Sequence, residues 1–352
     1  MRLQCCDATF ARFRCQSRQR VRKWLQRIMV NIMGVLVRGL IFATIASLAS
    51  VANAQRPFEQ NILHGAFGYD RSTQSSVDVR DIHQGCSRRD CIRSIDRPKY
   101  VTAAEADHVA EDDIVLALSL KGYHRAWPAK ILDQHEIVND IIAGTPIAIT
   151  WCPLCGSAVG VIREFDGQVT EFGVSGLLYN SDLVFYDRKT KTLWDQVLAK
   201  GIVGPLTGKQ LQLVPITMTR WGRWKKAHPD TLVLSEDTGF RNNYSVDPYR
   251  RYRGSNRLMF PVAKRSDVIA PKSVVYGFAI GDRTVAFTDS LLEQTAEFTH
   301  EPDGEQFVVK VAADGKITMT NAETGAVHSP VRLYWFSWYT FHPETELVQQ
   351  PG

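Results

Sequence analysis

His135-Glu136-Ile137-Val138-Asn139-Asp140-Ile141-Ile142, then Ala143-Gly144-Thr145-Pro146, then Ile147-Ala148-Ile149-Thr150-Trp151-Cys152-Pro153-Leu154-Cys155-Gly156: two β-prone runs around a turn, the second running straight into a dithiol. A tight turn carrying Pro153 and Gly156 makes two sulfurs three positions apart converge. Such a pair can chelate a metal, exchange a disulfide or brace a loop. With the turn centred between Gly144 and Thr145, Cys152 is expected opposite Ile137, and His135 and Glu136 fall beside the Cys-Pro-Leu-Cys turn.

Outward from this hairpin the β signals continue. Upstream, Ile114–Leu120 is an apolar run of strand length that Lys121-Gly122 turns into 123–127, and Pro128 suits the first position of a short helix reaching 134. Thr102-Ala103-Ala104-Glu105 has capping-box spacing and predicts a helix to 109. Downstream, 158–165 and 168–172 flank an Asp166-Gly167 turn, and 182–186 and 192–197 flank Arg188-Lys189-Thr190. Further strand candidates lie at 211–217, 231–235, 273–280, 284–288, 306–311 and 317–321. Trp221–Ala227 reads as a short helix stopped by Pro229, with a solvated basic face rather than a base-stacking one. The aromatic run 334–339 is too apolar for a tail and belongs in a core. The expected class is mainly β, a β-rich α+β fold: a single compact domain of antiparallel hairpins with short helices over 99–345, with 55–98 an irregular segment on its surface.

Residues 1–54 stand apart. Positions 1–38 hold nine Lys or Arg against one acid, Asp7; residues 39–51 are apolar; Ala52-Asn53-Ala54 is a small-residue cleavage pattern. That order predicts a secretory signal peptide, with too short an apolar stretch to span a bilayer, and a periplasmic or secreted remainder with no stable membrane span. The chain carries +5 and residues 1–54 carry +8 of it, which leaves about −3 on the rest. The basic pI therefore belongs to the export segment, and no nucleic-acid partner is expected. Beyond residue 54 only Cys86, Cys91, Cys152 and Cys155 remain, too few for a disulfide scaffold.

These segments, in this order, resemble a bacterial and archaeal family known only as a domain of unknown function, DUF3179. The resemblance rests on the 135–140 block, Cys152-Pro153-Leu154-Cys155-Gly156, Phe172-Gly173-Val174-Ser175-Gly176 and Asn180-Ser181-Asp182-Leu183. It continues through Tyr186-Asp187-Arg188, Leu193-Trp194 with Gln196, and 221–229. It covers 98–252 closely and the rest loosely. Asp195 stands where the family more often has a small polar residue, and Cys86 and Cys91 where it tends to have Gly. That departure makes the Cys86 and Cys91 pair peculiar to this chain and implies a local disulfide outside any shared site. The resemblance implies no known activity.

Three chemistries fit the residues. In a metal site, Cys152, Cys155 and the His135 imidazole make a three-ligand soft set, completed by Glu136 or water and supported by Asp140; such donors suit zinc or copper. In a thiol–disulfide oxidoreductase, Cys152 and Cys155 are the catalytic pair and His135 the activating neighbour, since β-type residues follow the motif where thioredoxin has a helix. In a non-catalytic interaction module the pair only braces the turn. Asn180, Ser181, Asp182, Asp187 and Arg188 bracket a short strand, and Trp194 and Gln196 project from the next; turn chemistry and a surface ion pair explain the first five as well. His135-Glu136-x-x-Asn139 lacks the second His of a zincin, and the residues leave open whether the chain is an enzyme.

Overall fold

Ile137–Ile142 and Thr145–Cys152 pair antiparallel, with Ile137 facing Thr150 and Ile142 facing Thr145. The structure is a computed structural model that describes residues 61–350, so the expected signal peptide lies outside the described residues. The turn is Ala143-Gly144, with φ of 50° and 75°. Two positive φ values give the two-residue turn whose twist matches the strands it joins. The register is two positions tighter than expected, and Cys152 faces Ser157 on the next strand rather than Ile137.

The protein is β-rich, with small, chiefly antiparallel sheets arranged as a propeller-like ring and a few short helices. Two sheets matter most for the site. The first runs Leu213–Val214, Ser157–Ile162, Thr145–Cys152, Ile137–Ile142; the second runs Ile82–Gln84, Phe172–Tyr179, Asp182–Asp187, Leu193–Asp195, Lys200–Val203. Ile137, Ala148 and Val159 of the first meet Phe172, Phe185 and Trp194 of the second in one core, which also holds both thiols. Their strands are buried on both faces, which is why they read as near-continuous apolar runs. Three further sheets, built on Ile114–Leu120 with Tyr123–Pro128, on Val274–Ile280 with Arg283–Thr288, and on Phe307–Val311 with Ile317–Asn321, complete the ring.

Several local expectations need correction. Thr102 and Glu105 make the capping-box bonds, Thr102 Oγ1 donating to Glu105 at 2.7 Å, but only turns follow to Asp113. Pairing of Tyr100–Thr102 with Leu232–Leu234 claims the chain on one side, and His108 bonds the Leu234 carbonyl at 2.9 Å on the other. The hairpin at Asp166-Gly167 is only Glu164–Phe165 against Gln168–Val169, because Ser157–Ile162 pairs with Thr145–Cys152 and Leu213–Val214 instead. Segment 61–98 is more than a wrapping: the Asn61–Phe67 helix buries Ile62, Leu63 and Phe67, and Ile82–Gln84 adds a strand to the second sheet. The aromatic run forms the Trp335–Phe341 helix, with Trp335, Phe336 and Trp338 buried.

The Phe172-Gly173-Val174-Ser175-Gly176 motif is a β-bulge. The register against Asp182–Asp187 shifts between Val174 and Leu177, Gly176 takes φ 80°, and Ser175 Oγ accepts from Leu177 N at 2.9 Å. A Cβ on Gly176 would stand 3.0 Å from the Arg88 carbonyl and from Cys86 Cβ. Cys86 and Cys91 form a disulfide beside this bulge.

One side chain ties the two central sheets. Gln196 Oε1 accepts from Ser157 Oγ at 2.7 Å, and Nε2 donates to Thr150 Oγ1 at 3.1 Å and to the Ser157 carbonyl at 3.2 Å, all fully buried. Gln196→Ala would orphan buried polar groups on both sides of the dithiol turn and should cost about 1–3 kcal/mol; urea unfolding measures it, and an unchanged midpoint contradicts the bridge. Replacing Cys86 and Cys91 by Ser opens a very short loop and should cost about 2 kcal/mol with the cooperativity of unfolding kept.

Candidate functional site

The dithiol turn is held from three directions. Cys152 ends its strand opposite Ser157, so residues 153–156 form the loop. Pro153 has no N–H to continue the ladder, and Gly156 takes φ 61°. The Cys155 carbonyl accepts from Tyr334 N at 2.7 Å, the Leu154 carbonyl accepts from Tyr252 Oη at 2.9 Å, and a Cβ on Gly156 would press on the Tyr334 ring at 3.0 Å. Both Cys are free thiols and fully buried, and Cys155 Sγ donates to the Ser181 carbonyl at 3.4 Å.

The third member is Asp182. Asn180 and Ser181 form the hairpin turn with φ of 51° and 66°, which starts the next strand at Asp182 and brings it against the thiols. One carboxylate oxygen of Asp182 and the two sulfurs lie within 4.8 Å of one another, all buried. Asp182 Oδ2 accepts from the N–H groups of Gln196 at 3.1 Å and Val197 at 3.0 Å, whereas Oδ1 has no hydrogen-bond partner among the described residues. Asp195, also fully buried, spends Oδ1 on Leu198 N at 2.8 Å and leaves Oδ2 without a partner.

Burial dominates the electrostatics. It pushes the Asp182 carboxyl up to about 7 against the hydrogen bonds it accepts. Burial and then Asp182 push Asp195 far above the carboxylate range. Burial raises both thiols, Cys155 further because Cys152 and Asp182 add to it. Glu136 is pushed up to about 8, first by burial and then by Asp133 and Asp182. Without a counter-cation the cluster is a set of protonated acids.

His135 is not part of this cluster. Its Nδ1 sits 2.7 Å from the Arg93 carbonyl and so donates, which leaves Nε2 to accept from Tyr244 Oη at 2.7 Å. Both ring nitrogens are engaged, and burial lowers the ring's pKa, so it is a neutral core histidine. The cause is local: Glu136 takes φ 59°, the chain leaves the strand there, and the imidazole packs by Phe240 and Tyr244. Asp140 is also remote in contacts, bonded to Tyr100 Oη at the far side of the strand. Glu136 keeps the expected neighbourhood and lines a cavity with Cys152.

The other expected residues divide between the site and the scaffold. Gln196 holds Asp182 through its N–H and the turn through its amide. Asn180 Oδ1 accepts from Ala263 N at 2.8 Å, and Ser181 Oγ donates to the Phe260 carbonyl at 3.4 Å, which anchors the 260–263 segment. Asp187 does not pair with Arg188: it accepts from Thr190 N at 2.6 Å and Trp194 Nε1 at 3.2 Å as a turn staple. Arg188 instead bridges Asp96 at 2.8 Å and Glu171. Asp195 was visible in the sequence only as an odd residue beside Trp194, and burial of the whole strand was the missing signal.

Three thiol or carboxyl donors on one side, two orphaned carboxylate oxygens and no basic side chain among them can hold a cation or a proton network. Among the described residues no helix is long and apolar enough to cross a membrane. No curated protein and no solved structure matches the chain. The family model described as Protein of unknown function (DUF3179) matches residues 89–331, and the chain belongs to that family.

Proposed function

We propose that the chain binds a borderline-soft divalent cation, Zn²⁺ before copper, through Cys152, Cys155 and Asp182. The observation that carries this reading is the convergence of two sulfurs and a carboxylate oxygen within 4.8 Å, with that residue's Oδ1 unpartnered. Donors held about 2.0–2.3 Å from one tetrahedral ion stand roughly 3.5–3.8 Å apart, within the reach of small side-chain adjustments here. A carboxylate beside two thiolates suits Zn²⁺ better than Cu⁺, which favours all-soft sets. Asp195 Oδ2 or water is the candidate for the remaining position. Metal would also protect two reduced thiols in a protein that carries a Cys86–Cys91 disulfide. That disulfide and the signal-like residues 1–54 support an exported, oxidising setting. Thiol–disulfide exchange is the weaker reading, because both thiols are buried, have raised pKa values and meet no cationic neighbour among the described residues.

Elemental analysis with thiol titration tests the proposal: about one zinc per chain is expected, and a metal-free, reversibly cycling dithiol points to exchange. Asp182→Asn and Cys152→Ser should each weaken zinc by an order of magnitude or more, whereas His135→Ala should leave affinity unchanged. Loss of zinc on His135→Ala with Asp182→Asn neutral would restore the histidine site and remove this one.

Metal-free protein should lose stability as pH rises. Glu136 and Asp182 have folded pKa values near 8 and 7, raised from 4.5 and 3.8, so the folded state keeps protons that the unfolded chain releases. Their contribution is present below about pH 4 and is lost through pH 7–8, on the order of a few kcal/mol. The urea midpoint at pH 5 should exceed that at pH 8, Glu136→Gln should flatten the slope, and zinc should oppose it because its ligands bind deprotonated. A midpoint that climbs with pH in the metal-free protein contradicts the buried-acid account.

A further inference from the structure

Beside Cys152 the structure holds a partly open cavity of about 270 Å³ that neither Cys155 nor Asp182 lines. Its walls are apolar, with Leu178, Leu183 and Phe260 prominent, and the Cys86 end of the disulfide and the bulge glycine Gly176 also border it. Its charged side chain is Glu136, only 7% exposed. Among the described residues no Lys, Arg or His lines it. The Glu136 carboxyl makes no hydrogen bond or ion pair among the described residues, although its backbone N–H and carbonyl are bonded to Leu132 and Trp151.

A buried carboxyl without a partner is costly unless something enters to meet it. The surroundings say what charge that is. Asp133 and Asp182 are the charged groups that act on Glu136, both acidic. The nearby Arg253 is already engaged by Asp133 at 2.5 Å and Asp247 at 2.7 Å. Tyr249 and Phe260 in the wall offer aromatic faces, which attract cations. An anion would find only hydroxyl donors among the described lining, the Tyr249 phenol and Glu136 while it keeps its proton, and no cationic group to pair with.

We propose that this cavity takes a small organic cation, an amine with an apolar body, whose ammonium pairs with Glu136. The apolar body replaces water against the leucine and phenylalanine walls, and the ammonium supplies the partner the carboxyl lacks. The inference stands apart from the metal reading, since Glu136 is not among the proposed metal ligands.

The test is calorimetric titration of the full chain at about pH 9, above the folded value of Glu136 and below that of the free amine, with three probes of one shape, 2-phenylethylamine, 2-phenylethanol and phenylacetate, as purified and again after chelation. The amine should bind at one saturable site about tenfold or more tightly than the alcohol, and phenylacetate should not bind. Glu136→Gln should bring the amine down to the alcohol, and Leu178→Trp, which adds bulk to the apolar wall and keeps the carboxyl, should abolish both. Comparable binding of phenylacetate, no amine binding at millimolar concentration, or an amine preference that survives Glu136→Gln overturns the proposal. Amine binding that vanishes on chelation assigns the amine to a metal and overturns it too. The three wild-type titrations decide the charge preference even if a variant fails to fold.

Discussion

Everything at the candidate site hangs on how Gln196 and its neighbour Val197 divide one carboxylate. Their two N–H groups take Asp182 Oδ2, so the carboxylate is oriented with Oδ1 left over. The same Gln196 uses its side-chain amide on Thr150 and Ser157, the strands that enter and leave the dithiol turn. One residue therefore sets the distance between the carboxylate and the sulfurs from both ends. A buried amide that meets four polar atoms is a rigid spacer, because any displacement leaves a polar group without water or protein to bond.

That rigidity is combined with an unusual charge balance. Two thiols and two carboxyls, Cys152, Cys155, Asp182 and Asp195, are all fully or almost fully buried, and the nearest acids beyond them are Glu136 and Asp133. A hydrophobic core surrounds them on the first two sheets, with Phe172, Phe185 and Trp194 close-packed. Such a core supplies stability while removing the water that would otherwise screen like charges. The buried acids are thus tolerated only protonated or with a cation, and two places bring them together with open coordination: the Cys152, Cys155 and Asp182 donors, and the cavity lined by Glu136.

Much of the fold could be read from patterning, and the site only partly. The hairpin 137–152 and its neighbours were legible because their apolar runs are bounded by turn residues at the right intervals. The edge strands Ile82–Gln84, Lys200–Val203 and Glu346–Val348 were not, since three or four residues carry too little periodicity to stand out. The dithiol turn announced itself. Which third group joins it depended on a register two positions tighter than the turn chemistry suggested and on a single left-handed residue, Glu136. Those two facts moved His135 into a hydrogen-bonded core pocket and left the position to Asp182, which looked like ordinary turn chemistry after Asn180-Ser181. It is turn chemistry as well: the Asn180-Ser181 turn is what delivers the aspartate.

Asp195 sets a second buried carboxyl against Asp182. A neutral residue at position 195 would remove the second carboxyl that Asp182 acts on. Aspartate adds a second, with Oδ2 unpaired, and the two titrate against each other because both cannot be charged at close range without a cation. In the absence of a cation the pair holds protons well above the carboxylate range. A divalent ion changes the sign of the interaction, since each carboxylate then stabilises the ion rather than repelling its neighbour. Asp195 therefore costs stability where no cation offsets the pair, and a cation drawn to Asp182 would recover that cost.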